Sequence, residues 1–149
     1  MSVEGTAPAV GPRSAPRQSA PKAWNIAFWV VQVLLAASFG MAGFMKMTAP
    51  IAELAEKMVW PGVVPPALVR FIGLSEFTAA LGLILPAATR IKPVLTPLAG
   101  VGLVIIMVLA AIFHVTRGEF GALPTNFVYG ALSAFVAWGR LRKAPILPR

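Results

Sequence analysis

Residues 66–85, PALVRFIGLSEFTAALGLIL, form one of four long apolar runs in this chain and carry a glutamate, Glu76, near the middle. About 20 predominantly apolar residues are enough for an α-helix to cross a hydrocarbon core of about 30 Å. An ionisable side chain at that depth costs free energy, and in membrane proteins it usually has a partner or a function. This stretch therefore predicts a transmembrane helix and a shielded site around Glu76.

The other three apolar runs have a similar length and are also bounded by charged residues or proline. The four runs together predict an all-α integral membrane protein whose transmembrane domain, residues 23–140, is a four-helix bundle. A shorter amphipathic segment, residues 50–59, is expected either to lie flat on the membrane interface or to pack as a loop over the mouth of the bundle. The expected spans are residues 24–45, 66–85, 93–115 and 124–139.

The composition excludes several classes of function. Of the 149 residues, 58% are hydrophobic and only 12% are charged, whereas soluble domains carry about 25% charged residues. Because the chain has no cysteine, it cannot by itself perform disulfide exchange or ligate zinc or an iron–sulfur cluster through thiolates. A single histidine excludes bis-histidine haem ligation, and we expect no metal site.

The net charge of +8 is concentrated beside the apolar runs, where cations indicate topology and contact anionic headgroups rather than nucleic acid. Residues 1–22 are predicted to be a disordered basic tail, and residues 141–149 a second basic tail. Nine of the 13 Lys and Arg fall on the side of the two termini, so both termini are expected in the cytoplasm. These nine are Arg13, Arg17, Lys22, Arg90, Lys92, Arg140, Arg142, Lys143 and Arg149.

Glu76 is expected to face the interior of the bundle, where it is either protonated or paired with a cation. Lys46 is the best candidate partner, because it ends the first span on the external side. A glycine precedes each charge by three residues, Gly43 before Lys46 and Gly73 before Glu76, and so lies on the same helix face. Glycine there lets another backbone come close. Each residue has an alternative interpretation. Lys46 could be a snorkelling lysine at the end of its span, and Glu76 could belong to an ion pair that only fixes helix register.

Two other spans are expected to contribute polar groups to the same outer half of the bundle. His114 ends the third span, although a lone histidine there also suits an interfacial residue or a helix cap. Asn126 opens the fourth span, and Ser133 continues its small, polar face. Arg70 is expected to point elsewhere, toward headgroups or the segment of residues 53–56. The four side chains expected to converge, one from each helix, are Lys46, Glu76, His114 and Asn126.

Three short motifs occur in a fixed order along the spans. They are Ala-Gly-x-x-Lys (Ala42, Gly43, Lys46), Gly-x-x-Glu (Gly73, Glu76) and Ala-x-x-x-His (Ala110, His114). With these motifs and four spans, residues 24–140 resemble the DoxX-like family of small bacterial membrane proteins. The resemblance implies a multi-pass, all-helical protein of the bacterial cytoplasmic (inner) membrane. Some relatives are linked to quinone-coupled oxidation of sulfur compounds or to membrane redox complexes, and relatives that perform thiol chemistry use cysteine pairs, which this chain lacks.

Three function classes are consistent with these features. The first is a membrane subunit of a quinone-linked redox system that holds a quinone or a redox partner protein, with Glu76 and His114 handling protons. The second is a non-enzymatic membrane scaffold or assembly factor. The third is a small membrane enzyme or carrier that acts on a lipophilic molecule, with Glu76 as general acid or base. The family resemblance favours the first class.

The candidate residues follow from these hypotheses. Small residues four apart in the first span, such as Ala36 and Gly40, suit packing within the bundle or in a homo-oligomer in the lipid bilayer. Quinone is the candidate cofactor. The candidate catalytic residues are Glu76, His114 and Lys46, and the candidate ligand-binding or structural residues are Asn126, Ser133, Gly43 and Gly73.

Overall fold

The computed structural model describes residues 22–149, and within that range the chain is helical and contains no strand. The expected N-terminal tail thus lies outside the described residues, except for Lys22, which begins the first helix. Four helical segments are long and apolar enough to cross a membrane, the fourth being the last helix with its flanking turns, Phe120–Lys143. The prediction of an all-α, four-span bundle is confirmed. The helices are α1 (Lys22–Thr48), α2 (Ile51–Met58), α3 (Pro66–Thr89), α4 (Leu95–Thr116) and α5 (Leu123–Trp138).

The four long helices surround a narrow apolar core. Helix α1 packs mainly against α3, α4 mainly against α5, and the two pairs join through α3–α4 and α1–α5 contacts. Each long helix contributes to the core, while many of the remaining large apolar side chains are exposed on the outside, where a bilayer would cover them. The core residues are Leu35, Phe39, Ala80, Leu83, Leu103, Met107 and Val136.

The bundle has two distinct ends. The start of α1 and the end of α5 lie together, since the rings of Trp24 and Trp138 meet edge to face with their centroids 6.5 Å apart. We call this the Arg140 end, because the buried residue Arg140 lies in the turn that follows α5. The end of α1 and the start of α3 form the opposite, Lys46 end. Gln32 and Lys46, one near each end, are separated by 14 residues of α1, or about 20 Å of helix.

The structure differs from the sequence expectation at Pro86. We expected the second span to end at residue 85, before Pro86, but α3 continues through Pro86 to Thr89, and Pro86 is buried inside the helix. A proline in a helix removes one backbone hydrogen bond, but neighbouring helices make this tolerable in transmembrane segments. The helix ends instead at Arg90, which adopts a left-handed conformation (φ 59°).

The amphipathic segment between the first two spans is a short helix. Helix α2 buries Leu54, and its charged residues Glu53, Glu56 and Lys57 are exposed. A 3₁₀ turn, Trp60–Gly62, follows it and leads into α3. This turn brings Trp60 over the Lys46 side chain, with the ammonium nitrogen 5.9 Å from the centroid of the indole ring.

Candidate functional site

An ion pair between α1 and α3 lies at the centre of the site. The Nζ atom of Lys46 donates to Oε2 of Glu76 at 2.5 Å. Both residues are almost completely buried, with exposed fractions of 7% and 3%. Moving a charged group from water into the protein interior costs roughly several kcal/mol unless an opposite charge lies close by. Lys46 provides that compensation for Glu76, so Lys46 is not a snorkelling lysine, whereas an ion pair that only fixes helix register stays an alternative interpretation.

Two facing glycines bring the ion pair together. A Cβ atom added to Gly43 would lie 2.6 Å from the carbonyl oxygen of Gly73, and one added to Gly73 would lie 2.7 Å from the Cβ of Lys46. No real side chain fits at such distances, so α1 and α3 make direct backbone contact at this level. Because each glycine precedes its charged residue by about one turn, the close contact also places Lys46 opposite Glu76.

A cavity of about 380 Å³ lies beside the ion pair, and we call it the Glu76 cavity. Its wall is mostly apolar and includes Trp60. Three of its wall residues, Leu68, Phe71 and Leu109, are exposed on the outside of the bundle, so the cavity opens sideways between α3 and α4. Its polar lining consists of Lys46, Ser75, Glu76, His114 and Asn126. The structure therefore brings the four expected side chains, one from each long helix, to a single cavity.

Asn126 has unused hydrogen-bonding capacity in this cavity. Its Nδ2 atom is buried and has no hydrogen-bond partner within the described chain, residues 22–149. A buried amide donor without a partner costs about 1–3 kcal/mol, and native proteins contain few of them. Asn126 lines the Glu76 cavity, so its amide group is a candidate hydrogen-bond donor to a ligand there.

His114 connects the cavity with the surface through a loop residue that the sequence analysis did not identify. Its Nδ1 atom lies 2.7 Å from Oε2 of Glu119, and Nε of Arg117 donates to Oε1 of the same carboxylate at 2.7 Å. These hydrogen bonds, from Arg117 and with His114, hold the pKa of Glu119 below its usual value. With Nδ1 engaged, the second ring nitrogen of His114 is left for a ligand. The only sequence signal for Glu119 was its short spacing from Arg117 and His114.

Arg70 does not occupy the position expected from the sequence. Its Nη1 atom donates to the main-chain carbonyl of Lys46 at 2.5 Å, rather than meeting headgroups or the acidic residues of α2. The last carbonyls of a helix lack internal partners, and a cation there also interacts favourably with the helix dipole. Arg70 thus fixes the end of α1 next to the ion pair.

Ser133 is the one candidate side chain that does not join this cavity. It is fully buried where α4 meets α5, and its carbonyl oxygen would lie 3.1 Å from a Cβ added to Gly100. In the part of the chain that the structure describes, its hydroxyl has no partner. Ser133 therefore belongs to the α4–α5 contact.

A second buried polar cluster, at the Arg140 end, was missed by the sequence analysis. Arg140, counted there as one of the topology cations, is only 3% exposed. Its Nε donates to Oε1 of Gln32 at 2.6 Å, and its Nη1 donates to Oδ1 of Asn25 at 2.7 Å. Gln32 in turn donates to the carbonyl of Leu83 at 2.6 Å. The sequence feature that could have indicated this cluster is Gln32, a polar residue within an apolar span.

Comparison with known proteins identifies a family. A protein-family model described as the DoxX-like family matches residues 30–136. The matched range contains Lys46, Glu76, His114 and Asn126, and it ends before Arg140. A search of curated proteins and a search of solved structures gave no match.

Proposed function

The chain belongs to the DoxX-like family and is an integral membrane protein, and on that premise we propose that it is the membrane subunit of a quinone-linked redox system that binds the quinone head in the Glu76 cavity. One observation carries the proposal. Polar side chains from four different helices meet in a mostly apolar cavity, and one of them, Asn126, has an unused buried donor.

The lining of the cavity suits a small ring with oxygen atoms. Its volume of about 380 Å³ falls within the range of about 300–1,000 Å³ found for small-molecule sites. A ketone oxygen accepts hydrogen bonds, and Lys46, His114 and Asn126 can each supply a donor. A quinol hydroxyl donates, and the carboxylate of Glu76 can accept from it. The aromatic rings of Trp60, Phe71 and Phe113 complete the wall.

The sideways opening suits a molecule that resides in the bilayer. The exposed part of the cavity wall includes apolar residues of α3 and α4, among them Leu68, Phe71 and Leu109, whereas its charged residues Lys46 and Glu76 are buried. An apolar tail attached to the ring would leave the bundle between these helices into lipid. A water-soluble substrate would require a polar entrance, so the entrance supports a lipophilic ligand.

The His114–Glu119–Arg117 chain supports a role in proton transfer. A bound quinone supplies two-electron, two-proton chemistry, with electrons from a redox partner protein in the same membrane. His114 lines the cavity and contacts Glu119, whose side chain is 28% exposed. An imidazole ring has two nitrogens, so it can take up a proton on one side and release one on the other. Protons would thus pass between the surface and the cavity through His114.

We place the Glu76 cavity in the outer half of the bacterial cytoplasmic membrane, with both termini in the cytoplasm. Lysine and arginine are enriched at the Arg140 end, as expected for cytoplasmic loops. Trp24 and Trp138, whose rings meet there, are the residue type that marks a membrane interface.

Tryptophan fluorescence offers a direct test, because Trp60 alone among the four tryptophans lines the Glu76 cavity. The purified protein in mild detergent is titrated with a short-chain ubiquinone, whose ring quenches nearby indoles. We expect saturable quenching that disappears when Trp60→Phe removes the reporter. Asn126→Leu should weaken binding about tenfold, equal to about 1.4 kcal/mol for one lost hydrogen bond. Glu76→Gln should alter binding, whereas the matched control Glu53→Gln, an exposed glutamate of α2, should not.

Two results would contradict the proposal. Quenching that is unsaturable, or unaffected by Trp60→Phe and Asn126→Leu, would show that the quinone only partitions into the micelle. Folded protein that never binds quinone would favour the scaffold hypothesis instead. For the redox role itself, we expect quinone-dependent oxygen uptake by membrane vesicles to fall when the gene is deleted and to return with wild-type protein but not with Asn126→Leu.

A further inference from the structure

Arg140 carries a buried positive charge that the described chain does not neutralise. Its hydrogen bonds go to the neutral side chains of Gln32 and Asn25, and weakly to the carbonyl of Ala144 at 3.4 Å. Nη2 is buried without a partner, and Arg140 forms no salt bridge with any carboxylate of residues 22–149. Buried charges in proteins are paired or coordinated, because removing them from water is costly. An anion bound beside Arg140 would neutralise this charge.

A large cavity at the Arg140 end could hold such an anion. It has a volume of about 800 Å³, and we call it the basic cavity. Its wall includes Arg140 together with four further cations, Lys22, Arg90, Arg142 and Lys143, and contains no acidic residue. All the glutamates of the described chain lie outside its wall, so its local charge is strongly positive.

Backbone hydrogen bonds after α5 shape this cavity, in which Arg140 is buried and the other four cations are exposed. A π-helical turn, Gly139–Lys143, continues α5 and is closed by a hydrogen bond from the Ala144 amide to the Gly139 carbonyl. It directs Arg140 inward, where the guanidinium lies 5.5 Å from the centroid of the Phe28 ring. The chain then folds back, and the amide of Arg149 donates to the carbonyl of Arg90 at 3.3 Å. Apolar residues of this returning segment, Ile146 and Leu147, form part of the wall.

We propose that the basic cavity binds a phosphate group, and that its source is the headgroup of an anionic phospholipid. Arginine recognises phosphate through charge-assisted hydrogen bonds, and Nη2 of Arg140 is a donor without a partner among the described residues. Lys22, Arg90, Arg142 and Lys143 add further positive charge around the same group. The cavity lies at the level of the Trp24–Trp138 contact, which is typical of the membrane interface, and its apolar wall suits glycerol and the first methylenes of a lipid.

Native mass spectrometry of the full chain provides the test. The purified protein is equilibrated with equal amounts of phosphatidylglycerol and phosphatidylcholine of the same chain length, and bound lipids are counted. We expect one retained phosphatidylglycerol, with at least about tenfold preference over phosphatidylcholine. Inorganic phosphate is added as competitor in a separate arm, because free phosphate shares the chemistry but lacks the glycerol and acyl groups.

Three variants locate the binding. The double variant Arg90→Gln with Lys143→Gln leaves Arg140 and its partners intact, and should reduce the preference about tenfold. Arg140→Lys retains the charge but loses the planar fork, and should also weaken binding if it folds. Lys57→Gln, an exposed cation of α2 at the Lys46 end, is the matched control and should retain the full preference. Circular dichroism confirms that each variant is folded.

Each outcome supports or overturns the proposal. Selective phosphatidylglycerol retention that phosphate does not displace supports a lipid headgroup site. Displacement by phosphate at matched concentrations would overturn the lipid assignment and leave a site for free phosphate. Equal retention of the two lipids, or an equal loss of preference in the Lys57 control, would overturn the site altogether. Because no quinone is involved, these outcomes are independent of the function proposed for the Glu76 cavity.

Discussion

The two ends of the bundle each bury a charged side chain, but they treat it differently. At the Lys46 end, the carboxylate of Glu76 is paired with an ammonium group 2.5 Å away. At the Arg140 end, the guanidinium donates hydrogen bonds to the side-chain amides of Gln32 and Asn25 and to a backbone carbonyl, and it lies against the rings of Phe28 and Trp29. The first end neutralises its charge with another side chain, whereas at the second end Arg140 has no carboxylate partner among residues 22–149. The two cavities should therefore respond differently to mutation and to the surrounding lipid.

The largest effect is expected from breaking the ion pair. Lys46→Met leaves the carboxylate of Glu76 buried without a cation, which should lower the free energy of unfolding by about 3–5 kcal/mol. Unfolding in mixed detergent–dodecyl sulfate micelles measures this change. Adding Glu76→Leu to Lys46→Met should recover most of the loss, because an apolar pair needs no compensation. Lys57→Met, at an exposed position, should stay within about 0.5 kcal/mol of wild type. If Lys46→Met alone were as stable as wild type, that result would show that Glu76 is protonated and needs no cationic partner.

A smaller loss is expected from breaking the network at the Arg140 end. Gln32→Leu removes the acceptor of Arg140 Nε and the donor to the Leu83 carbonyl, at a cost of about 2–3 kcal/mol in neutral lipid. Thermal unfolding in phosphatidylcholine nanodiscs measures it.

Gln32→Glu sharpens the comparison, because it gives Arg140 the internal carboxylate that Lys46 already has. In this variant the preference for phosphatidylglycerol should fall about tenfold, while the protein remains folded. An unchanged preference would show that lipid selection does not depend on the charge of Arg140.

The helix contact beneath the ion pair should be sensitive to a single methyl group. Gly73→Ala places a Cβ 2.7 Å from that of Lys46 and 2.9 Å from the carbonyl oxygen of Gly43, so α1 and α3 must separate. We expect a loss of about 1–2 kcal/mol in the unfolding free energy, typical of overpacking. Gly102→Ala is the matched control in α4, since no atom lies within 4 Å of its added Cβ. It should be neutral or stabilising by up to about 1 kcal/mol, and equal effects of the two substitutions would argue against a close contact.

The smallest effect is expected at the surface, from Glu119→Gln. The folded-state pKa of Glu119 is lowered by Arg117 and His114, so its contribution to stability is present above the unfolded pKa of about 4.3 and is lost as pH falls through the lower, folded value. The melting temperature of Glu119→Gln should therefore lie slightly below that of wild type at neutral pH, and the difference should vanish in acid. A difference that persists at the lowest pH would show that the ionised carboxylate is not responsible.

Much of the Lys46 end could be predicted from local sequence. A carboxylate in an apolar run needs a partner, and the glycines at fixed spacing from Lys46 and Glu76 indicate a close helix contact. Spacing also places His114 and Asn126 at the same level of the bundle. Spacing along the chain could not reveal which polar atoms remain without hydrogen-bond partners. That the Nδ2 atom of Asn126 has no such partner is seen only when the neighbouring helices are in place.

The Arg140 end shows why the rest could not be predicted. Arg140 follows an apolar span, and a cation in that position usually contacts headgroups, so sequence alone indicates topology. The π-helical turn and the acceptors on α1, more than 100 residues away in the chain, turn it inward instead. Arg70 is a similar case, because its acceptor is a carbonyl at the end of another helix.

The sequence by itself determined that four helices cross a membrane and that Glu76 must be shielded, because the cost of polar groups in hydrocarbon depends on composition and length. The tertiary structure alone decided which buried charge has a partner. That choice depends on distances between helices, which periodicity along one helix does not specify. It left Glu76 neutralised by Lys46, and Arg140 without a carboxylate partner among the residues that the structure describes.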